Sequence, residues 1–124
     1  MGKPKILAVD DEQSFMDIVL QYFEPRGYDT DVASDGVTGL ELFKEKRHDV
    51  VLLDLKMVGL NGDEVMQEIF NMGGKPKIIF ITAFSDEGKT QARLKEEGAY
   101  AFVEKPVTSL KSLEDLINEA ANAE

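Results

Sequence analysis

Three stretches of this chain constrain its fold more than any others. Lys5-Ile6-Leu7-Ala8-Val9-Asp10, Asp49-Val50-Val51-Leu52-Leu53-Asp54 and Lys77-Ile78-Ile79-Phe80-Ile81-Thr82 are short apolar runs without alternation, and each ends in a polar residue. An unalternating run of this length reads as a strand buried on both faces, which calls for a parallel sheet covered by helices on each side. Between the runs the apolar spacing becomes helical. Phe15, Ile18, Val19, Tyr22 and Phe23 fall on one helix face, and Pro25 with Gly27 marks its end. Tyr28, Thr30 and Val32 alternate with Asp29 and Asp31, as expected of a half-exposed edge strand. Asp35 is placed to cap a helix that carries Val37, Leu40 and Phe43.

The second half repeats the alternation. A loop from Leu55 to Asn61 ends at Gly62, and Asp63 to Phe70 forms a short helix with Val65, Met66 and Ile69 inward. Ser85 to Glu97 reads as a weak helix, with Leu94 its only large aliphatic residue and Gly88 within it. Ala99 to Val103 is a short strand, and Leu110, Leu113, Leu116, Ile117 and Ala120 line a last helix, whose tail from Asn118 to Glu124 is expected to fray. Five strands alternating with five helices imply a doubly wound α/β fold with right-handed crossovers. One domain is expected over residues 1–124, its core running from about residue 5 to about residue 120.

Composition narrows the chemistry. There is no cysteine, which excludes disulfides, thiolate catalysis and cysteine-held metals. The single histidine, His48, cannot build a histidine-rich metal site and is expected to be solvated beside Arg47 and Asp49. The 24 acidic residues outnumber the 14 basic ones, so direct binding to nucleic acid is not expected. No apolar run is long enough to cross a bilayer, and Ile6 to Val9 is too short for the core of a signal peptide, so a cytoplasmic location is expected.

The chemistry lies where the strands end. The first strand ends at Asp10-Asp11, the third at Asp54 and the fourth at Thr82, and Lys105-Pro106 follows the fifth. In an open parallel sheet, ligands bind beyond the carboxyl ends of the strands. Three carboxylates gathered there repel one another, and a hard divalent cation relieves the repulsion. With oxygen ligands only, Mg²⁺ is the natural ion. A carboxylate in such a site can attack a phosphoryl donor, with Lys105 supplying positive charge and Thr82 a hydroxyl.

Four motifs, in order and on the expected elements, carry a family resemblance: Val9-Asp10-Asp11-Glu12, Leu53-Asp54-Leu55-Lys56-Met57, Ile81-Thr82-Ala83 and Glu104-Lys105-Pro106. From Lys5 to about Ala120 the chain resembles the response-regulator receiver domains of two-component signal transduction. The resemblance implies a flavodoxin-like sheet of strand order 2-1-3-4-5. It implies that Asp54 accepts a phosphoryl group from the phosphohistidine of a sensor histidine kinase or phosphotransfer protein. Asp11, Asp54 and the backbone carbonyl of Lys56 would hold Mg²⁺ (or Mn²⁺), with Asp10 acting through water. Lys105 would contact the phosphoryl oxygens, its bond to Pro106 would be cis, and the Ala83 amide would also meet the phosphoryl group. Thr82 and Phe102 would form the switch, altering the surface of the fourth helix, fifth strand and fifth helix for a downstream protein or output domain. The resemblance leaves a homodimer through that surface open, and the sequence does not decide the oligomeric state. The chain would catalyse only its own phosphorylation and dephosphorylation.

Two departures from the family pattern are noted, Val58 in place of a frequent proline and Val107 in place of a frequent aromatic. Neither removes a catalytic group. Lys56 and Phe84, each two residues beyond a site residue, are expected to flank the phosphoryl group and slow its hydrolysis. An aspartyl phosphohydrolase would need a second aspartate where Lys56 stands, and a flavin protein would need a Ser/Thr/Gly-rich loop after the first strand. A receiver-like interaction module that is never phosphorylated is the main alternative, and the intact Asp10, Asp11, Asp54, Thr82 and Lys105 weigh against it.

Overall fold

A computed structural model describes residues 2–123. Five strands, β1 (Ile6–Val9), β2 (Thr30–Ala33), β3 (Val50–Leu53), β4 (Lys77–Thr82) and β5 (Ala101–Glu104), form one parallel sheet of order 2-1-3-4-5. Helices α1 (Gln13–Phe23), α2 (Gly36–Lys46), α3 (Gly62–Asn71), α4 (Lys89–Glu96) and α5 (Leu110–Asn122) alternate with them, and a 3₁₀ turn at Glu24–Arg26 follows α1. The expected doubly wound fold and strand order are both present.

The central strands are apolar because both of their faces are covered. Phe15, Met16, Val19 and Phe23 of α1 join Leu113, Ile117 and Ala120 of α5 over one face, against Ile6, Ala8, Leu52, Ile79 and Ile81. Phe43 of α2, Val65, Met66 and Ile69 of α3 and Leu94 of α4 cover the other face, against Leu7, Val9, Val51, Leu53, Ile78 and Phe80. Each such aliphatic side chain contributes about 1.5–3 kcal/mol by leaving water. The α4 helix contributes only Leu94 to a core, so it is the α-helix held by the fewest apolar anchors.

Several sequence expectations need correction. The fourth helix starts at Lys89, not Ser85. Asp86 bonds the Thr90 amide and hydroxyl, while Glu87 (φ 62°) and Gly88 (φ 86°) turn the chain left-handed before the helix begins. The fifth strand runs from Ala101 to Glu104, two residues later than its expected start. The tail from Asn118, expected to fray, is helical as far as Asn122 among the described residues. Helix α5 continues to Asn122 because the Lys77 ammonium donates to the carbonyls of Ala120 and Ala123; Glu124 lies outside the described residues. His48 is buried, not solvated: its ring stacks on Phe43, and Nε2 lies 2.8 Å from Asp31 Oδ2. Ile18, expected on the inner face of the first helix, is exposed.

Candidate functional site

The site is built by the register of the sheet. Val9 and Leu53 are paired residues of β1 and β3, and the ladder continues one step further as the Asp54 amide donates to the Val9 carbonyl. Asp10 is tied to β2 in the same way, its amide donating to Ala33 O. Asp10 and Asp54 therefore leave adjacent strands side by side. Asp11 follows at the surface, and one carboxylate oxygen from each of the three lies within 4.8 Å of the others. Lys105 is brought in from β5, where its amide donates to the Thr82 carbonyl. The Lys105–Pro106 bond is cis.

The charges are strongly coupled. Lys105 Nζ lies 2.8 Å from Asp10 Oδ2, 2.8 Å from Glu12 Oε1 and 3.5 Å from Asp54 Oδ2. Burial opposes the lysine's charge, but its bonds to Asp10 and Glu12 and the negative charge of Asp54 outweigh this and hold its pKa above the ordinary value. Burial pushes Asp10 up, against the lowering effect of Lys105 and of the Glu12 amide that donates to Asp10 Oδ1. The Lys105 hydrogen bond pulls Glu12 down. One atom is left without a partner: Asp54 Oδ1 is buried and unbonded among the described residues. A buried carboxylate oxygen without a donor is costly unless something positive meets it. The donor set of Asp10, Asp11 and Asp54 is all oxygen, and it could hold a metal ion of the hard divalent type.

Around this centre the other expected residues fall into groups. Thr82 is buried, and its hydroxyl accepts from the Phe84 amide at 3.1 Å rather than bonding a carboxylate. Ala83 is exposed beside Lys105 on the wall of a groove. The Lys56 ammonium lies over the Phe84 ring, 4.7 Å from its centroid, so the two flanking residues meet each other. Phe102 is half-buried on β5, its ring centroid 6.0 Å from that of Phe80. It packs against the core that Phe80 and Leu94 share.

Two residues of the site were not singled out by their sequence signal. Glu12 read as a charge favoured at a helix N-terminus; it is the residue preceding α1, yet its side chain bonds Lys105. Its place at the end of an Asp-Asp-Glu run was the available clue. Asn61 read only as the end of a loop. Its side-chain oxygen accepts from the Met57 amide at 3.2 Å, and its own amide donates to Glu64 Oε1 at 3.0 Å. An Asn three residues before a Glu at a helix start is the signal that could have found it.

Comparison with known proteins gives the family. The family model described as response regulator receiver domain matches residues 6–118. Sporulation initiation phosphotransferase F of Bacillus subtilis is 32% identical over 106 residues, covering 86% of this chain and 85% of that protein. A probable transcriptional regulator, ycf27, of Porphyridium aerugineum is 40% identical over 114 residues, covering 92% of this chain but 46% of that protein. The chain thus spans less than half of that longer relative. Among solved structures, a response regulator receiver domain protein of Clostridium thermocellum superposes with a TM-score of 0.84 at 32% identity, covering 97% of this chain and 95% of that one. A receiver domain protein of Methanospirillum hungatei gives 0.86 at 26% identity, covering 96% and 94%. The strand order, a family match over nearly the whole chain and a relative of similar length agree: the chain belongs to the response regulator receiver domain family of two-component signalling, not to a class of conventional enzymes.

Proposed function

We propose that this chain is a phosphoacceptor switch in which Asp54 takes a phosphoryl group from the phosphohistidine of a sensor kinase or phosphotransfer protein. The observation that carries the reading is the buried, unpartnered Asp54 Oδ1 inside a cluster of three carboxylates faced by one lysine. Family membership already implies a kinase or phosphotransfer partner. In the transfer, a carboxylate oxygen of Asp54 attacks phosphorus, the P–N bond to the donor imidazole breaks, and the imidazole nitrogen keeps the electron pair.

Asp11, Asp54 and the Lys56 carbonyl would hold Mg²⁺ (Mn²⁺ could serve in its place), and Asp10 would hold a water of its shell. When bound, the ion neutralises charge on the transferring oxygens. Lys105 then exchanges a carboxylate partner for a phosphoryl oxygen, the Ala83 amide donates to another, and the Thr82 hydroxyl leaves the Phe84 amide to donate to a third. The space that Thr82 vacates is filled by Phe102 turning inward, with no hydroxyl to bury. The weakly anchored α4 shifts with it, so α4, β5 and α5 form the surface read by a downstream protein, by an output domain or by a second copy.

The donor's docking place is the groove beside Lys105. It encloses about 820 Å³ and is lined by apolar parts of Phe15, Ile18, Tyr22, Pro106, Val107 and Leu110. Exposed Ile18 is explained if a partner helix covers it there. Among the described residues no helix is long and apolar enough to cross a membrane, and a cytoplasmic module over residues 1–124 fits that.

Beryllium fluoride, a stable phosphoryl mimic, tests the switch. The Thr82 and Phe102 resonances should shift on its addition only with Mg²⁺ present and Asp54 intact. A folded, Mg²⁺-binding protein whose Phe102 environment does not change would instead be an interaction module in receiver form.

A further inference from the structure

The loop that carries the phosphoacceptor toward α3 is closed at two points. The Gly62 amide donates to the Leu55 carbonyl at 2.9 Å, and Asn61 Oδ1 accepts from the Met57 amide at 3.2 Å. The two closures fall on adjacent peptide units, Leu55–Lys56 and Lys56–Met57, which meet at Lys56. Leu55 and Met57 on either side are buried, while Lys56 is exposed. A trans peptide sets its N–H and C=O antiparallel in one plane. The Met57 N–H and the Lys56 C=O belong to that same plane. Fixing the N–H on Asn61 therefore fixes the direction of the Lys56 carbonyl.

The Asn61 side chain is itself held. Its backbone amide donates to Glu64 Oε1, and the next residue, Gly62, packs so closely on the Asp54 carbonyl that a Cβ there would lie 2.2 Å from that oxygen. The α3 N-terminus is thus seated directly on the backbone of Asp54. Asn61 reaches back from this seat across the loop. Asn61 and Glu64 form the capping box of α3, and the Asn61 oxygen, besides facing the helix start, also accepts from the Met57 amide of the loop.

We infer that Asn61 is a positioning residue for the metal site: by gripping the Met57 amide it aims the Lys56 carbonyl at the carboxylates of Asp10, Asp11 and Asp54. The inference rests on the reading that this carbonyl is a metal ligand. A hydrogen bond that orients a ligand from behind typically governs metal affinity by about 10- to 100-fold. Asn61 touches neither metal nor phosphoryl group and acts only through the peptide plane.

The test is Mg²⁺ affinity by titration calorimetry and amide NMR, with thermal unfolding in chelator measured in parallel, on the native chain, Asn61→Ala, Asn61→Asp and Asp54→Ala. Asn61→Ala should weaken Mg²⁺ binding about tenfold, with the Lys56 and Met57 signals losing their native response. Asn61→Asp keeps the acceptor and should bind at least as tightly as the native chain. A residue that merely caps α3 would lower the unfolding temperature of Asn61→Ala and leave the affinity of the folded protein unchanged. That result, with Asp54→Ala abolishing binding, overturns the role of Asn61 alone. Asn61→Asp binding as weakly as Asn61→Ala overturns it too. Native-like Mg²⁺ binding by Asp54→Ala overturns the underlying metal-site reading.

Discussion

Lys105 and Asp10, 95 residues apart in the chain, meet through a 2.8 Å hydrogen-bonded ion pair with the Asp10 side chain almost fully buried. The pair joins β1 to the turn after β5 across the carboxyl edge of the sheet. In the metal-free protein this lysine is the only cation paired with the acidic cluster among the described residues. Lys105→Ala leaves Asp10 and Asp54 buried and unpaired, and should cost on the order of 2 kcal/mol of stability in chelator. Mg²⁺ should restore much of the loss. Urea unfolding with and without Mg²⁺ checks both statements.

Lys56 and Phe84, two residues beyond Asp54 and Thr82, meet as a cation–π pair. An exposed cation–π pair contributes about 0.5–1 kcal/mol, which corresponds to roughly two- to fivefold in a rate that depends on keeping it closed. Phe84→Ala, or Lys56→Asn, should accelerate loss of the acyl phosphate by about that factor. The decay of phosphoprotein after donor removal is the measurement. An unchanged lifetime would reduce the pair to surface packing.

Gly62 offers a packing test. A methyl group there would collide with the Asp54 carbonyl and crowd the Phe80 ring, neither of which can retreat without moving the sheet. Gly62→Ala should destabilise the fold by about 2 kcal/mol. It should also weaken phosphorylation, because the backbone that shifts is that of the acceptor.

A second carboxylate sets part of the acid sensitivity. Glu114 on α5 accepts hydrogen bonds from Tyr28 and Tyr22, each at 2.8 Å, and these hold its pKa below the ordinary value of 4.5. A carboxyl group lowered on folding contributes stability above its unfolded pKa and loses it as pH falls through the folded value. Glu114→Gln should therefore cost about 1 kcal/mol at neutral pH, the hydrogen bonds being partly solvated. The difference from the native chain should begin to shrink as pH falls to about 4.5 and vanish only below the lower folded value, where Glu114 itself is protonated. Thermal unfolding across that range is the check.

Much of this architecture was legible before any coordinates. Unalternating runs such as Val50–Leu53 can be buried only between two helical layers, and the polar residues that end them mark the site edge. Asp35 caps α2 as its chemistry suggests, accepting from the Thr38 amide. What escaped depends on partners distant in sequence. His48 is buried because Phe43 and Asp31 enclose it, and nothing local announces this. The end of α5 is held by Lys77, 43 residues upstream of the Ala120 carbonyl it caps. The late start of α4 was partly visible, since Ser85, Asp86 and Gly88 all favour turns over helix. Within the site, the strand-end carboxylates announced themselves, whereas the link from Asn61 to Met57 needed the folded loop.

The central claim is that Asp54 accepts a phosphoryl group with help from a divalent ion. Intact-protein mass after incubation with a small phosphoramidate donor tests it most directly, with and without Mg²⁺ and beside Asp54→Ala. The account predicts a single added phosphoryl group that requires both Mg²⁺ and Asp54. An adduct that persists in Asp54→Ala, or none on a folded, Mg²⁺-loaded protein that also fails to bind beryllium fluoride, would contradict it.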